Sequence, residues 1–360
     1  MKVLYIYPKL KISASGGVAG YTRNRESVIQ YYGASNVICY PVERSKRNSR
    51  FVMLANDLLS LGIAGLSNKD KTNCVEAIKT SHVELVFIDS SLFGVLARYI
   101  KKRCDVKIVI FFHNVEFDYI KTLLSQNVFF AYRILLAWLN EKMVIKYSDY
   151  TIALNQKDSN RIFELYNRKV DMQIPVTFKD SKTGLLGNSD YSSPLRVLFF
   201  GSFFPPNVEA VDILVKKICP HVNINLLIAG SEMDKLKNKY TNIPGVEIKG
   251  YIDDVNELYN WADLVVIPIF SGAGMKVKTA EALMYGKNII ASENALEGYE
   301  TEGVSGIIKC KDVKDFIFEI NNFDLNLDRM NMGARELFLK KYSFNSSYSK
   351  FSELFSKISD

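Results

Sequence analysis

The chain of 360 residues has only five cysteines, Cys39, Cys74, Cys104, Cys219 and Cys310, and none stands in a Cys-x-x-Cys pair. That scatter argues against a thiolate metal site or a disulfide framework, and reduced cytoplasmic thiols are the expectation. No stretch reaches the roughly 20 apolar residues needed to span a bilayer. The richest, 128–144, is interrupted by Arg133, Asn140, Glu141 and Lys142, and reads as an amphipathic or buried helix. The amino terminus, Met1-Lys2-Val3-Leu4-Tyr5-Ile6-Tyr7-Pro8, lacks the longer apolar run and small-residue cleavage site of a signal peptide, so a first buried strand is expected there. There is no low-complexity tract or short repeat, and no Asp-x-Asp metal motif in a fitting place. The first glycine loop does not follow the dinucleotide pattern Gly-x-Gly-x-x-Gly, which argues against a nicotinamide enzyme.

What remains is an ordinary globular composition, 48% hydrophobic and 24% charged, in a chain long enough for two cores. The formal net charge of +7 suits an anionic partner: nucleotide, phospholipid or nucleic acid. Short β-rich runs, each followed by a helical stretch, recur at 3–7, 37–40, 85–88, 107–112 and 150–154, and again at 196–200, 225–228, 246–249, 264–267, 288–291 and 306–309. Continuous apolar strands alternating with helices predict parallel sheets covered on both faces, and two series predict two Rossmann-like α/β domains. The polar stretch 178–194 is the expected linker. Residues 342–360 carry Tyr348, Phe351, Leu354 and Phe355 at helical spacing, so an amphipathic terminal helix should return to the first domain. The expected division is 1–177 with 342–360, then 195–341. Open parallel sheets bind ligands beyond the carboxyl ends of their strands, so the residues just after each run are the ones to inspect.

The most informative of these segments runs from Pro268 to Gly286, with Ser271-Gly272-Ala273-Gly274-Met275-Lys276-Val277-Lys278-Thr279-Ala280-Glu281-Ala282 at its centre. A buried strand, a small-residue turn and a helix present free backbone N–H groups to a phosphate. Lys276 and Lys278 stand in the first helical turn, where the helix dipole disfavours cations; an anion bound there would account for them. Glu281, three residues after Lys278, could accept hydrogen bonds from ribose hydroxyls. The bland alternative is a plain glycine turn followed by a surface ion pair of small value.

This string resembles the signature of the family-four retaining glycosyltransferases of the GT-B fold, in the branch with Gly-x-Gly-(Thr/Met)-(Arg/Lys)-x-Lys-x-x-Glu-Ala. The resemblance implies two Rossmann-like domains facing across a cleft and a nucleoside-diphosphate sugar as co-substrate, with no other cofactor and no metal. It places Gly274, Met275, Lys276 and Lys278 at the donor diphosphate and Glu281 at the ribose, with Lys276 offsetting leaving-group charge. The broader family has a second Glu eight positions before the ribose Glu, and Ala273 stands there in this chain.

Further segments extend the likeness. Phe199-Phe200-Gly201-Ser202 with Pro205-Pro206-Asn207 resembles the opening of the family's second domain, with Gly201 and Ser202 as support. It lacks the family's usual Arg and Lys in this region, so Lys276 and Lys278 would carry that task. Gly250-Tyr251-Ile252-Asp253-Asp254 resembles a base-contacting loop, in which Tyr251 either stacks on a base or is a surface aromatic. Asp253 is the expected cap of the next helix. Phe111-Phe112-His113-Asn114-Val115-Glu116 resembles the family's interdomain histidine segment, giving His113 a catalytic contact and Glu116 either a supporting or a helix-capping role. Isolated histidines are usually structural, and this chain has only three. Gly16 and Gly17, in Ser15-Gly16-Gly17, resemble the first loop facing the diphosphate. Arg23 and Arg25 read as solvated helix charges, and Ala295-Leu296-Glu297-Gly298 brings Glu297 as support. The resemblance implies a glycan or lipid-linked acceptor in bacterial surface-polysaccharide synthesis, a cytoplasmic protein that could sit at an anionic membrane face, and no nucleic-acid partner. A nucleotide-sugar epimerase of the same fold and a non-enzymatic nucleotide or glycan binder are the competing classes.

Overall fold

The computed structural model describes residues 1–9, 16–43, 54, 57–58, 61–62, 66–123, 131–182, 191–240, 242–272 and 274–359, with side chains of 16–19 and 122–123 left aside. The described residues fall into two compact units, one containing Gly17–Pro175 with the first strand and Ser347–Asp360, the other Val176–Ser346.

The first unit is built on β1 (Val3–Lys9), β2 (Val37–Glu43), β3 (Leu85–Ile88), β4 (Lys107–Phe111), β5 (Tyr150–Ala153) and β6 (Met172–Gln173), all parallel in the order β2-β1-β3-β4-β5-β6. The central strands are apolar at successive residues because both faces are covered, and Val3 to Ile6 and Leu85 to Ile88 are fully buried. Pro41 is tolerated in β2 because that strand is an edge, where a missing N–H breaks no central ladder. The connecting helices are α1 (Gly16–Tyr32), α2 (Asn68–Thr80), α3 (Gly94–Lys101), α4 (Glu116–Leu123), α5 (Ala131–Tyr147) and α6 (Gln156–Tyr166). Ser67 and Asp70 close a reciprocal capping box on α2. Among the described residues no helix is long and apolar enough to cross a membrane.

The second unit repeats the plan with β7 (Leu195–Phe200), α7 (Pro205–Ile213), β8 (Ile224–Ala229), β9 (Val246–Ile248), α8 (Val255–Trp261), β10 (Leu264–Ile267), α9 (Val277–Met284), β11 (Asn288–Ser292), β12 (Ile307–Cys310), α10 (Val313–Asn321) and α11 (Met332–Leu337). Its parallel strand order is β12-β11-β10-β7-β8-β9. Two parallel six-stranded sheets are therefore present, as the alternating pattern predicts, and the one strand it does not reveal is the two-residue β6.

Beneath the amino ends of β7 and β10 lies a buried ionic cluster. Asp263 accepts from the Arg196 backbone at 2.9 Å and from Arg196 Nη2 at 3.1 Å, and it forms an ion pair with Arg329, whose Nε lies 2.8 Å from Oδ1. Beside it Lys287, fully buried, donates to the Ala262 carbonyl at 2.7 Å. Burial, with Arg329 adding repulsion, lowers the Lys287 ammonium to about 7.

Of the expected linker, residues 183–190 lie outside the described residues. Phe178 pairs with the backbone beside Tyr342, and Asp180 forms an ion pair with Arg335, both within the second unit. The terminal helix α12 (Phe344–Ser359) buries Phe351, Leu354, Phe355 and Ile358. Phe355 packs on Tyr31 and Tyr32 with ring centroids 5.2 and 5.1 Å apart, and Phe351 lies 6.1 Å from Phe87. The last helix thus completes the core of the first unit, as its spacing predicts.

Candidate functional site

Strand order locates the site in the second unit. The sheet reverses its winding between β7 and β10, and ligands of open parallel sheets bind at the carboxyl end of such a switch. Two loops leave there. The loop after β7 is short because Pro205 and Pro206 start α7 at once, where a missing N–H costs nothing. The loop after β10 turns through Gly272 and Gly274, at φ +95° and +79°, conformations that disfavour any residue with a Cβ.

Lys278 joins the two loops. It stands in the first turn of α9 and its Nζ donates to Asn207 Oδ1 at 2.7 Å, while Asn207 Nδ2 donates to the Ser202 carbonyl at 2.7 Å. A side chain at Gly201 would come within 3.0 Å of Asn207 Nδ2 and 3.2 Å of Lys278 Cε, so this glycine leaves the space that the pair occupies. Asn207 escaped the sequence reading. Its signal was an amide two residues into a helix, just beyond the carboxyl end of a strand.

Lys276 is the N-cap of α9, with no side-chain cap bond of its own, and its Nζ donates to the carbonyls of Gly274 at 2.6 Å and Gly272 at 3.3 Å. Its own carbonyl accepts from Tyr299 at 2.7 Å. No acidic residue stands in the first turn of α9. This end of the helix therefore carries two ammonium groups at the positive end of its dipole, which suits an anion. Met275 is buried beside them. Ala273 lies outside the described residues.

Glu281 lies one turn further along α9 and is half-buried. Burial raises its carboxyl to about 7, against the opposing pull of Lys278. Lys278 is lowered to about 8, chiefly by burial, with Glu281 opposing and Lys276 reinforcing the shift. The stacked rings of Tyr259 and Tyr285, 4.2 Å apart, lie beneath this helix. Glu281 adds to the electrostatic penalty on ionising either phenol, after burial itself for both.

Supporting loops are tied to the same place. Asn294 Nδ2 donates to the Gly272 carbonyl at 3.0 Å and lies 3.5 Å from Glu297 Oε2, and Thr279 Oγ1 donates to the Ala295 carbonyl at 2.7 Å. Ser271 bonds Glu209 at 2.8 Å. Tyr251 is 68% exposed, the state required of a stacking platform and equally of a surface aromatic. Gly250 sits against Asp234, and its carbonyl accepts from Gly230. The cap of α8 is Asp254, accepting from Asn256 N at 2.9 Å, rather than Asp253 as the sequence suggested. The single-residue difference reflects where the chain leaves the extended conformation.

In the first unit His113 follows β4, and its Nε2 lies 2.7 Å from Asp89 Oδ1. Its ring is held between Tyr21 and Phe111, at centroid distances of 4.2 and 4.6 Å. Gly16 and Gly17 open α1, and the loop preceding them lies outside the described residues. Arg23 is not solvated, contrary to the sequence reading: it is 4% exposed and donates to the Pro175 carbonyl at 2.7 Å and to Asn24 Oδ1. Burial lowers its guanidinium to about 10, still charged at neutral pH.

Glu116 is the first residue of α4, and its backbone N–H donates to Glu141 Oε1 at 2.7 Å. Glu141, fully buried, also accepts from Phe117 N and Tyr166. Burial pushes its carboxyl up to about 8 against these donors. The capping carboxylate of α4 therefore comes from α5, where the sequence showed only an interruption in an apolar helix.

Among the described residues no group of His, Cys, Asp or Glu could hold a metal ion.

Residues 194–323, within the second unit, match the family described as glycosyl transferases group 1. An uncharacterised 44.6 kDa protein of the cps region of Klebsiella pneumoniae is 23% identical over 254 residues, 64% of this chain and 62% of that protein. The chain thus spans less than two thirds of that relative. Anabaena HepE, solved with UDP, superposes with a TM-score of 0.70 at 14% identity, covering 99% of this chain and all of the other. Sucrose-phosphate synthase from Thermosynechococcus elongatus gives 0.69 at 14%, covering 99% of both chains, and the lipopolysaccharide outer core galactosyltransferase WaaB gives 0.69 at 12%, covering 99% and 100%. These likenesses establish the fold, which is GT-B.

Proposed function

From a chain that carries a group 1 glycosyl transferase domain over residues 194–323 on a GT-B fold, we propose an enzyme that moves a sugar from a nucleoside-diphosphate sugar to a glycan or lipid-linked acceptor in surface-polysaccharide synthesis. The observation that carries the reading is the meeting of Lys276, Lys278 and Glu281 at the start of α9, on the switch point of the second sheet. The loop amides at Gly274 and Met275, with Lys276 and Lys278, take the donor diphosphate. Glu281 takes the ribose hydroxyls, and Gly250 and Tyr251 face the base. Gly201, Ser202 and Glu297 support these loops. At the start of α1 Gly16 and Gly17 face the diphosphate, and in the first unit His113 meets the donor sugar or acceptor and Glu116 supports it. The cps-region relative motivates the polysaccharide assignment.

In this scheme the acceptor oxygen bonds to the anomeric carbon as the bond from that carbon to the phosphate oxygen breaks. The diphosphate leaves with the electron pair, and its growing charge is met by Lys276, Lys278 and the helix N–H groups. Attack on the face the leaving group departs from retains configuration, and the hydroxyl proton passes to the departing phosphate oxygen. The lysines supply the positive charge, so the scheme needs no metal.

The two shifted groups give this reading a pH signature. Glu281, raised to about 7, accepts from two ribose hydroxyls with both oxygens, and with charge assistance, only when ionised, so donor affinity falls below that pH. Lys278, lowered to about 8, attracts the diphosphate only when protonated, so affinity falls above that pH. Calorimetry with a nucleoside-diphosphate sugar, whose esterified phosphates do not titrate near neutrality, should give a bell with limbs near these values. Glu281→Gln should remove the acid limb and weaken binding about 10-fold or more, the scale of a charged hydrogen bond. A flat profile in both proteins would reject the ribose role.

The site of action we propose is the cytoplasmic face of the membrane, where a lipid-linked acceptor would be met by a chain of net charge +7. Co-sedimentation with anionic vesicles at moderate salt tests it; protein left wholly in the supernatant excludes membrane binding.

A further inference from the structure

His113 ends a buried chain of hydrogen bonds that the proposed chemistry leaves unexplained. Three side chains converge on Asp89, the residue just beyond β3: Tyr5 from β1, Asn24 from α1, and His113 from beyond β4. Asp89 is fully buried. It stands where the first sheet reverses its winding, between β1 and β3, and its backbone N–H donates to Ile6.

The direction of every bond in the chain follows from donor chemistry. Arg23 has only N–H groups to give, and it directs Nε and Nη2 at Asn24 Oδ1, at 2.9 and 2.6 Å. That sets the amide orientation, so Asn24 Nδ2 faces Asp89 Oδ1 at 2.7 Å and donates. Asp89 already accepts from Asn24 and Tyr5, and as an acceptor it takes the hydrogen of the 2.7 Å contact from His113 Nε2. In the neutral ring Nδ1 is then the bare nitrogen.

We propose that Asp89 is a positioning residue for sugar transfer: it holds His113 as the Nε2–H tautomer and leaves the Nδ1 lone pair to accept a hydrogen bond from a sugar hydroxyl. This rests on the reading of His113 as a substrate contact. Tyr21 and Phe111 keep the ring in plane for the task, and Arg23, anchored on the Pro175 carbonyl, keeps Asn24 from flipping. An asparagine at position 89 can turn its NH₂ towards Nε2, which would put the ring proton on Nδ1 and abolish the acceptor, as occurs when the aspartate of a serine-protease triad is amidated.

Imidazole nitrogen NMR of the whole protein tests the tautomer directly, since only three histidines are present and His113→Gln assigns the resonance. The expected spectrum has the proton on Nε2 in the wild type and a shift towards Nδ1 in Asp89→Asn. Turnover should fall about 100-fold or more in Asp89→Asn with donor KM nearly unchanged, and the same change made in His113→Ala should cost little further. A wild-type proton on Nδ1 overturns the proposal, and so does an Asp89→Asn effect undiminished in the His113→Ala background. Full turnover by His113→Ala would instead remove His113 from the site, whatever tautomer the spectrum shows.

Discussion

Lys276→Ala is expected to lower turnover by about 10²–10³-fold, the cost of removing one preorganised group that meets developing charge. Nucleotide affinity should weaken in parallel. The argument is local. Among the described residues of the turn and of the first turn of α9, positive charge comes from Lys276 and Lys278 alone, and the usual family cations after β7 are absent, since Gly201 to Ala210 contains no Lys or Arg. Lys278 is held by Asn207 and Lys276 by the Gly274 carbonyl, so the two ammonium groups are fixed by different partners. Lys278→Ala should cost a similar factor, and the double variant less than the product, because groups that neutralise one charge act as a unit. Nucleoside-diphosphate release, measured with and without acceptor, is the readout. Wild-type release by Lys276→Ala would take that residue out of the catalytic site, and donor-sugar interconversion without any acceptor would favour an epimerase.

The second large effect concerns stability. Asp263→Ala should destabilise the second unit by about 3–5 kcal/mol, because it removes the buried carboxylate that Arg196 and Arg329 share beside the buried Lys287. Asp263 is fully buried, so solvent screening does not discount the loss. Thermal unfolding should move down by on the order of 10 °C. A shift of only a degree or two would mean that the cations relax into water when their partner is removed.

The sequence displayed what depends on period and strand ends, and concealed what depends on partners far along the chain. Leu264 to Ile267 read as a buried strand because parallel sheets covered on both faces demand unbroken apolar residues. The turn at Gly272 and Gly274, followed by Lys276, Lys278 and Glu281, was visible because all of it lies on one loop and one helix. Arg23 was misread because its partner, Pro175, is 152 residues away. Glu141 looked like a blemish in an apolar helix because the amides it caps belong to α4, 25 residues earlier. Asp89 was within reach of the strand-end rule, since it directly follows the strand at 85–88, yet a lone carboxylate has no signature until its histidine stands beside it.

The return of α12 has a consequence for how the protein is made. Phe351 and Phe355 are synthesised after the whole of the second unit, yet they pack on Tyr31, Tyr32, Phe87 and Phe111 of the first. On the ribosome the earlier half must therefore wait with an unsealed apolar face while the later half emerges and folds. Chaperone demand should fall on the earlier half, and a stop codon near residue 346 should damage the half that was translated first.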